Sequence, residues 1–177
     1  MSKAPILFNA PERKKSIIDN TPGIFPIDEN PFASNKKPGV ERDKESQVPK
    51  LCGGIIELSK KYKIDATLVM AIMHMETTHG WYDGIFPLNL ANKSVRPMNV
   101  HYQYWEELGV TKEKLGVPLY NIEYGIILLS RIQARIINPT VTKIATIYNF
   151  LGAEKVNDYG ARVNHFYITK PWQGCRK

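Results

Sequence analysis

Glu76 is the residue whose type and position best suit a chemical role. On a helix it shares a face with Val69, Ile72 and Met73, so the spacing predicts a carboxyl at the edge of an apolar core. Burial disfavours the charged form of a carboxyl and raises its pKa, which suits a general acid near neutral pH. The same spacing also fits a glutamate tethered by a hydrogen bond to a neighbouring loop. Periodicity does not distinguish the two.

The elements that position this carboxyl are predicted to be helices, because apolar residues recur at helical spacing through most of the chain from Pro49 onward. Asp65 is the predicted N-cap of the helix that carries Glu76. A later segment rich in Gly, Pro and Asn predicts a long loop. The predicted helices span 50–62, 66–78, 100–108, 121–137, 140–150 and 153–167, and the predicted loop spans 80–97.

Alternating period-2 patterns are scarce, so the fold is predicted to be mainly α, without a sheet of any size. The length of 177 residues fits one domain with a tail. Seven of the twelve prolines lie between Met1 and Pro49, which predicts an irregular Pro-rich arm over 1–48 and a single domain over 49–177. The arm would either wrap on the domain or serve as a delivery segment. The apolar side chains available for wrapping are Ile24, Phe25 and Phe32.

Four segments, in the same order along the chain, resemble motifs of soluble lytic transglycosylases and goose-type lysozymes. The first is an apolar helix that ends in Glu76 followed by Thr, and the others are similar to the family's N-I-x-x-G, A-Y-N and Y-x-x-x-V motifs. The resemblance spans about residues 50–167. Its segments are 66–78, 120–129, 146–149 and 159–163.

The resemblance implies a lysozyme-like helical domain that cuts peptidoglycan between MurNAc and GlcNAc. Glu76 would act twice: it would first protonate the glycosidic oxygen while the substrate's N-acetyl group assists, and then deprotonate the muramic 6-hydroxyl. These two steps close a 1,6-anhydro ring in the product without using water. We expect no cofactor and no metal, since no residues have metal-ligand spacing.

Substrate-binding residues follow from the resemblance, with departures. Where the family usually has G-L-M-Q, this chain has residues 96–99, so Met98 and Asn99 are the candidates for the last two positions. Tyr148 and Asn149 would hold the N-acetyl group and brace Glu76, or form a capping or core pair. Residues 150–152 replace the usual Ala-Gly and change the expected shape of the cleft.

Aromatic and acidic residues near the predicted loop offer further candidates. Trp81 and Tyr102 could stack on sugar rings, although aromatic residues also fill cores. Asp83 is the nearest candidate for a second carboxylate, which would make the protein a hydrolysing muramidase similar to a phage endolysin. His74 lies on another helix face from Glu76 and is predicted to be a packed or surface histidine rather than a catalytic one.

The net charge of +7 suits an anionic partner such as peptidoglycan and its associated polymers. Nucleic acid is not expected as a partner, because the basic residues are spread out and form no recognition helix. No apolar stretch approaches the length of a membrane span. A catalytically silent wall-binding or protein-binding module remains the alternative to an enzyme.

Cys52 and Cys175 lie near the two ends of the predicted domain. They either form a disulfide, which requires an oxidising compartment, or are two unrelated thiols.

The first residues lack the apolar region of a Sec signal. Production in the cytoplasm followed by specialised secretion is therefore expected, with action in the periplasm or cell wall of a target bacterium. This pattern resembles that of an antibacterial type VI secretion effector, which would have a cognate immunity protein and a secretion-system component as partners. A phage lysin is the alternative.

Overall fold

The computed structural model describes residues 24–36, 44, 46–78, 94–102, 109–172 and 174–175. The described chain is mainly helical, as predicted, with one two-stranded antiparallel sheet. None of its described helices is long and apolar enough to cross a membrane. The elements are α1 (Val48–Tyr62), α2 (Ala66–Thr78), β1 (Ser94–Val95), β2 (Val100–His101), α3 (Lys112–Leu115), α4 (Pro118–Gln133), α5 (Val141–Asn149) and α6 (Asp158–Thr169).

Helix α2 carries Glu76 and is the most buried helix of the described fold. Nine of its thirteen residues are buried, because it packs against both α1 and α6. The predicted cap is confirmed, since Asp65 Oδ1 accepts a hydrogen bond from the Thr67 backbone N–H at 2.8 Å. The packing of α1 and α6 against α2 therefore fixes the position of the Glu76 backbone and side chain.

The bounds of the helices predicted at 121–137 and 153–167 needed correction. Helix α4 begins at Pro118 rather than 121, because proline is favoured in a first helical turn. It ends at Gln133 rather than 137. Helix α6 begins at Asp158 rather than 153, because Asn157 caps it by accepting a hydrogen bond from the Gly160 N–H at 3.0 Å. The prediction for α5 is correct to within one residue at each end.

A short hairpin replaces part of the predicted loop and of the predicted helix at 100–108. Ser94 pairs with His101 and Val95 with Val100, and residues 96–99 form the turn. Asn99 adopts φ 56°, a left-handed conformation that asparagine tolerates better than most residues. The helix prediction was therefore wrong at 100–101, and residues 79–93 and 103–108 lie outside the described part.

Residues 24–36, called the arm segment below, dock on the α5–α6 side of the domain. Asp28 forms an isolated parallel bridge with Lys155, and its N–H donates to Glu154 O at 2.9 Å. Phe25 packs against the core, but Phe32 is 92% exposed and Ile24 is 61% exposed. Of the three apolar side chains proposed for wrapping, only Phe25 contributes. Ile27, which is buried in the core, and backbone pairing also hold the segment.

Candidate functional site

Glu76 lies in the last turn of α2 and is half-buried. The residues predicted to share its face, Val69, Ile72 and Met73, are all fully buried. The prediction of a carboxyl at the edge of the core is therefore confirmed. Glu76 also has an interaction partner that sequence periodicity did not identify.

That partner is Tyr159, in the first turn of α6. Its hydroxyl donates a hydrogen bond to Glu76 Oε1 at 2.5 Å. Burial, followed by the negative charge of Glu76 and the hydrogen bond to it, raises the pKa of Tyr159 well above its usual value. The phenol therefore stays protonated and remains a donor throughout the neutral range.

Tyr148 approaches the same carboxyl from α5. Its side chain is buried, and burial together with the charge of Glu76 raises the pKa of the phenol well above its usual value. The Tyr148 hydroxyl donates to the backbone carbonyl of Met98 at 2.5 Å. Tyr148 thus links the surroundings of Glu76 to the hairpin turn.

Two residues of α4 hold Met98 in place. Asn121 Oδ1 accepts a hydrogen bond from the Met98 N–H at 2.9 Å, and Asn121 Nδ2 donates to Leu115 O at 3.1 Å. Gly125 lies against the Met98 side chain, because a Cβ at Gly125 would stand 2.9 Å from Met98 Cβ. The N-x-x-x-G spacing on α4 therefore serves to seat the turn, and the Met98 side chain is fully buried.

A polar group next to Tyr148 joins α5 to the start of α6. Asn157 Nδ2 donates to Asn149 Oδ1 at 3.3 Å, and the Asn157 N–H donates to Thr146 Oγ1 at 3.2 Å. Gly160 permits this close approach, because a Cβ there would overlap Thr146 Oγ1. Asn149 itself is exposed, and Asn157 holds its amide oxygen.

Glu76, Tyr159, Tyr148 and Met98 are called the Glu76 cluster below. Asn99, next to Met98 in the turn, is half-buried. Tyr102 is half-buried and stacks on His101, with ring centroids 6.2 Å apart. Trp81 and Asp83 lie outside the described residues.

His74 is fully buried, so it is a packed histidine and not a surface one. Its ring meets Phe166 edge-on at 4.6 Å between centroids. Its Nδ1 lies 2.9 Å from Ser46 Oγ. These contacts anchor the helix two residues before Glu76.

Cys52 and Cys175 are both free thiols. Burial, followed by interaction with Cys52, raises the pKa of Cys175 to about 11, so the two cysteines lie near each other. Within the described residues, no group of three His, Cys, Asp or Glu side chains could hold a metal ion.

The sequence did not reveal the role of Tyr159, although Tyr159 is the first residue of the fourth motif segment, 159–163. A usable signal was Gly160, since a glycine inside a helix indicates close approach of another element. Asn121 and Gly125 belong to the second motif segment, 120–129, and the sequence did not reveal that they hold Met98. Their function depends on the position of Met98, which lies 23 residues before Asn121.

Chemically, the cluster offers one half-buried carboxyl held by a phenol, with a second buried phenol within its electric field. Such an arrangement suits a group that gives and takes a proton.

Comparison of the chain with protein-family models, with curated proteins and with solved structures finds no significant match.

Proposed function

We propose that the protein is a lysozyme-like peptidoglycan lytic transglycosylase that uses Glu76 as its general acid and base. The observation that best supports this proposal is that the three segments that carry Glu76, Tyr148 and Tyr159 meet at one carboxyl. Tyr159 bonds to Glu76, Tyr148 lies in its field, and the Met98 turn is held by Tyr148 and Asn121. These three segments, together with the one that contains Asn121, carry the resemblance to this family in sequence.

In the first step Glu76 donates its proton to the glycosidic oxygen between MurNAc and GlcNAc. The bond breaks while the N-acetyl group of the substrate attacks the anomeric carbon. Because Tyr159 holds Oε1, we assign the transferred proton to Oε2. Fixing one carboxyl oxygen restricts side-chain rotation and orients the other, which favours transfer in a defined direction.

In the second step the Glu76 carboxylate removes the proton of the muramic 6-hydroxyl. The resulting oxygen attacks the anomeric carbon, displaces the N-acetyl group and closes the 1,6-anhydro ring. The carboxyl is then protonated again, so one residue serves both steps. The Tyr159 hydrogen bond supports the charged form of Glu76 between the two steps.

Asn99, Asn149 and Tyr102 are the described residues that we propose for substrate binding. Asn149 is exposed and its amide is oriented by Asn157, so it can present its N–H groups to an N-acetyl carbonyl. The buried Met98 side chain shapes the turn beneath Asn99. The excess of basic residues would concentrate the protein on anionic wall polymers.

The biological setting is a proposal of the same kind. An antibacterial effector delivered by a secretion system would need an immunity protein that covers the Glu76 cluster in the producing cell. A phage lysin would need none. Co-expression of the chain, directed to the periplasm, with candidate neighbouring genes would separate the two, because only an effector is neutralised by a specific partner.

The test is mass spectrometry of the soluble fragments that the protein releases from purified peptidoglycan. The Glu76→Gln variant keeps the shape of the side chain but cannot donate the proton. Anhydromuropeptides from the wild type alone are the expected result. Reducing-end products would indicate a hydrolase and turn attention to Asp83, whereas no products from either protein would favour a silent binding module.

A further inference from the structure

The C-terminal segment, described at residues 170–172 and 174–175, returns to the start of α1 after α6 ends. Lys170 adopts φ 46° at the end of α6 and redirects the chain. Trp172 then lies beside His74, with ring centroids 5.8 Å apart. Gly174 reaches the first turn of α1, because a Cβ built on it would stand 4.0 Å from Pro49 Cβ.

This path brings Cys175 to Cys52. Cys52 lies one helical turn after Pro49, and its Sγ is 3.8 Å from Pro49 O. Cys175 is half-buried and packs against the core that includes Cys52, and interaction with the Cys52 thiol contributes to the raised pKa of Cys175. Two free thiols from opposite ends of the domain therefore lie in the same part of the core.

We propose that Cys52 and Cys175 form an intramolecular disulfide when the protein meets a disulfide oxidant, and that this bond fastens the C-terminal segment across α1. The segment includes Trp172, whose ring contacts His74 on the helix that carries Glu76. The bond would thus close a loop that contains most of the domain. It would also hold Trp172 against the His74 side of α2. The proposal holds whether or not the protein cuts glycans.

The chemistry is thiol–disulfide exchange with a small disulfide such as oxidised glutathione. Cys175, the more exposed thiol, loses its proton and attacks one glutathione sulfur, which releases the other as a glutathione thiol. Cys52 then attacks Cys175 in the mixed disulfide, forms the protein S–S bond and releases the second glutathione. The two protein thiols lose two electrons and two protons, and the glutathione disulfide gains them.

The pH dependence of the first step follows from the environment of Cys175. Its pKa of about 11 leaves little thiolate at neutral pH. The attack should therefore accelerate roughly tenfold for each pH unit between pH 7 and 9. Exposure to an oxidising compartment, where disulfides persist, would drive the reaction to completion.

The experiment uses the full chain, reduced and then incubated with oxidised glutathione at mildly alkaline pH. Intact mass should fall by two hydrogen atoms, and peptide mapping should link Cys52 to Cys175. The melting temperature should rise by about 5–10 °C over the reduced protein, as expected for a long closed loop. Cys175→Ser is the control, because this half-buried position should tolerate serine and its melting temperature should not respond to glutathione.

Three results would overturn the proposal. A stable glutathione adduct on either cysteine would show that the second thiol cannot reach the first. A disulfide-linked dimer would show that the cysteines pair between chains. An intramolecular bond without a rise in melting temperature would show that it does not fasten the segment.

Discussion

The Glu76 cluster and the arm segment are both held by long-range contacts, but by different kinds. In the cluster, side chains from α2, α5 and α6 and the hairpin turn are joined by short hydrogen bonds in a largely buried setting. The arm segment is joined to residues 154–156 mainly through its backbone. Phe32, in that segment, is 92% exposed.

The two regions differ in how easily their hydrogen bonds can be replaced. A buried side-chain network admits few alternatives, because every lost hydrogen bond leaves a desolvated polar group. Backbone pairing at a surface can be replaced by water at low cost. We therefore expect substitutions in the cluster to act strongly, and those in the arm segment to matter only where a side chain enters the core.

The largest expected effect on stability is that of Gly160→Ala. The added Cβ would overlap Thr146 Oγ1 and stand 2.5 Å from the backbone oxygen of Thr142, so α5 and α6 must separate. We expect the free energy of unfolding to fall by about 2–3 kcal/mol, measured by urea denaturation.

Gly53→Ala is the matched control for that substitution. Gly53 is exposed on α1, and a Cβ there would meet no atom within 4 Å. Alanine should therefore stabilise the helix by about 0.5–1 kcal/mol. Equal effects of the two substitutions would contradict the close packing of α5 on α6.

Tyr159→Phe should lower turnover of peptidoglycan by about 10- to 100-fold, because Glu76 loses the group that orients it. The alkaline limb of the pH–rate profile should move to higher pH, since the lost hydrogen bond supports the carboxylate. Tyr167→Phe is the control on the same helix. It removes a 2.5 Å bond to Asp65 and should leave both turnover and profile unchanged.

Alkaline pH should destabilise the protein through Tyr148 and Tyr159. Burial and then the charge of Glu76 raise both phenol pKa values well above 10, whereas tyrosines of the unfolded chain lose their protons near pH 10. Above that pH the folded state binds more protons than the unfolded state. The free energy of unfolding should therefore fall by about 1.4 kcal/mol per pH unit for each tyrosine, while neutral pH leaves it unaffected.

Urea denaturation at a series of alkaline pH values measures this slope. Tyr148→Phe should make the slope shallower, because the variant lacks one of the groups whose raised pKa values produce it. An unchanged slope would show that Tyr148 titrates normally in the folded protein.

The smallest effect is expected in the arm segment. Phe25→Ala should lower the free energy of unfolding by about 1–2 kcal/mol, because the half-buried ring packs against the core. Phe32→Ala should change it by less than about 0.5 kcal/mol, since that ring is exposed. Equal losses would contradict the different burial of the Phe25 and Phe32 rings.

Sequence alone predicted the helical class, the helix that carries Glu76 and the position of its carboxyl at the core edge. Each of these depends on local periodicity, which the chain displays directly. The hairpin at Ser94–His101 was missed, because two-residue strands leave no alternating pattern. The start of α6 was misplaced because residues 154–156 pair with the arm segment, a contact more than a hundred residues distant in sequence.

The candidate site was predictable in part for the same reason. Glu76 and Tyr148 were identified from their motifs, but the Tyr159 hydrogen bond depends on how α6 crosses α2. Periodicity gives the face of a helix and not its partner. The adjacency of Cys52 and Cys175 likewise depends on the path of the C-terminal segment.

The central claim is that Glu76 transfers the proton, and the most direct measurement is the initial rate of peptidoglycan solubilisation by Glu76→Gln and Glu123→Gln. Glu123 is a matched control, because it also accepts a tyrosine hydroxyl at 2.5 Å, from Tyr62. Loss of the general acid should slow Glu76→Gln by about 10²–10⁴-fold, with Glu123→Gln close to wild type and both variants folded by circular dichroism. A Glu76→Gln variant that retains the wild-type rate would contradict the account.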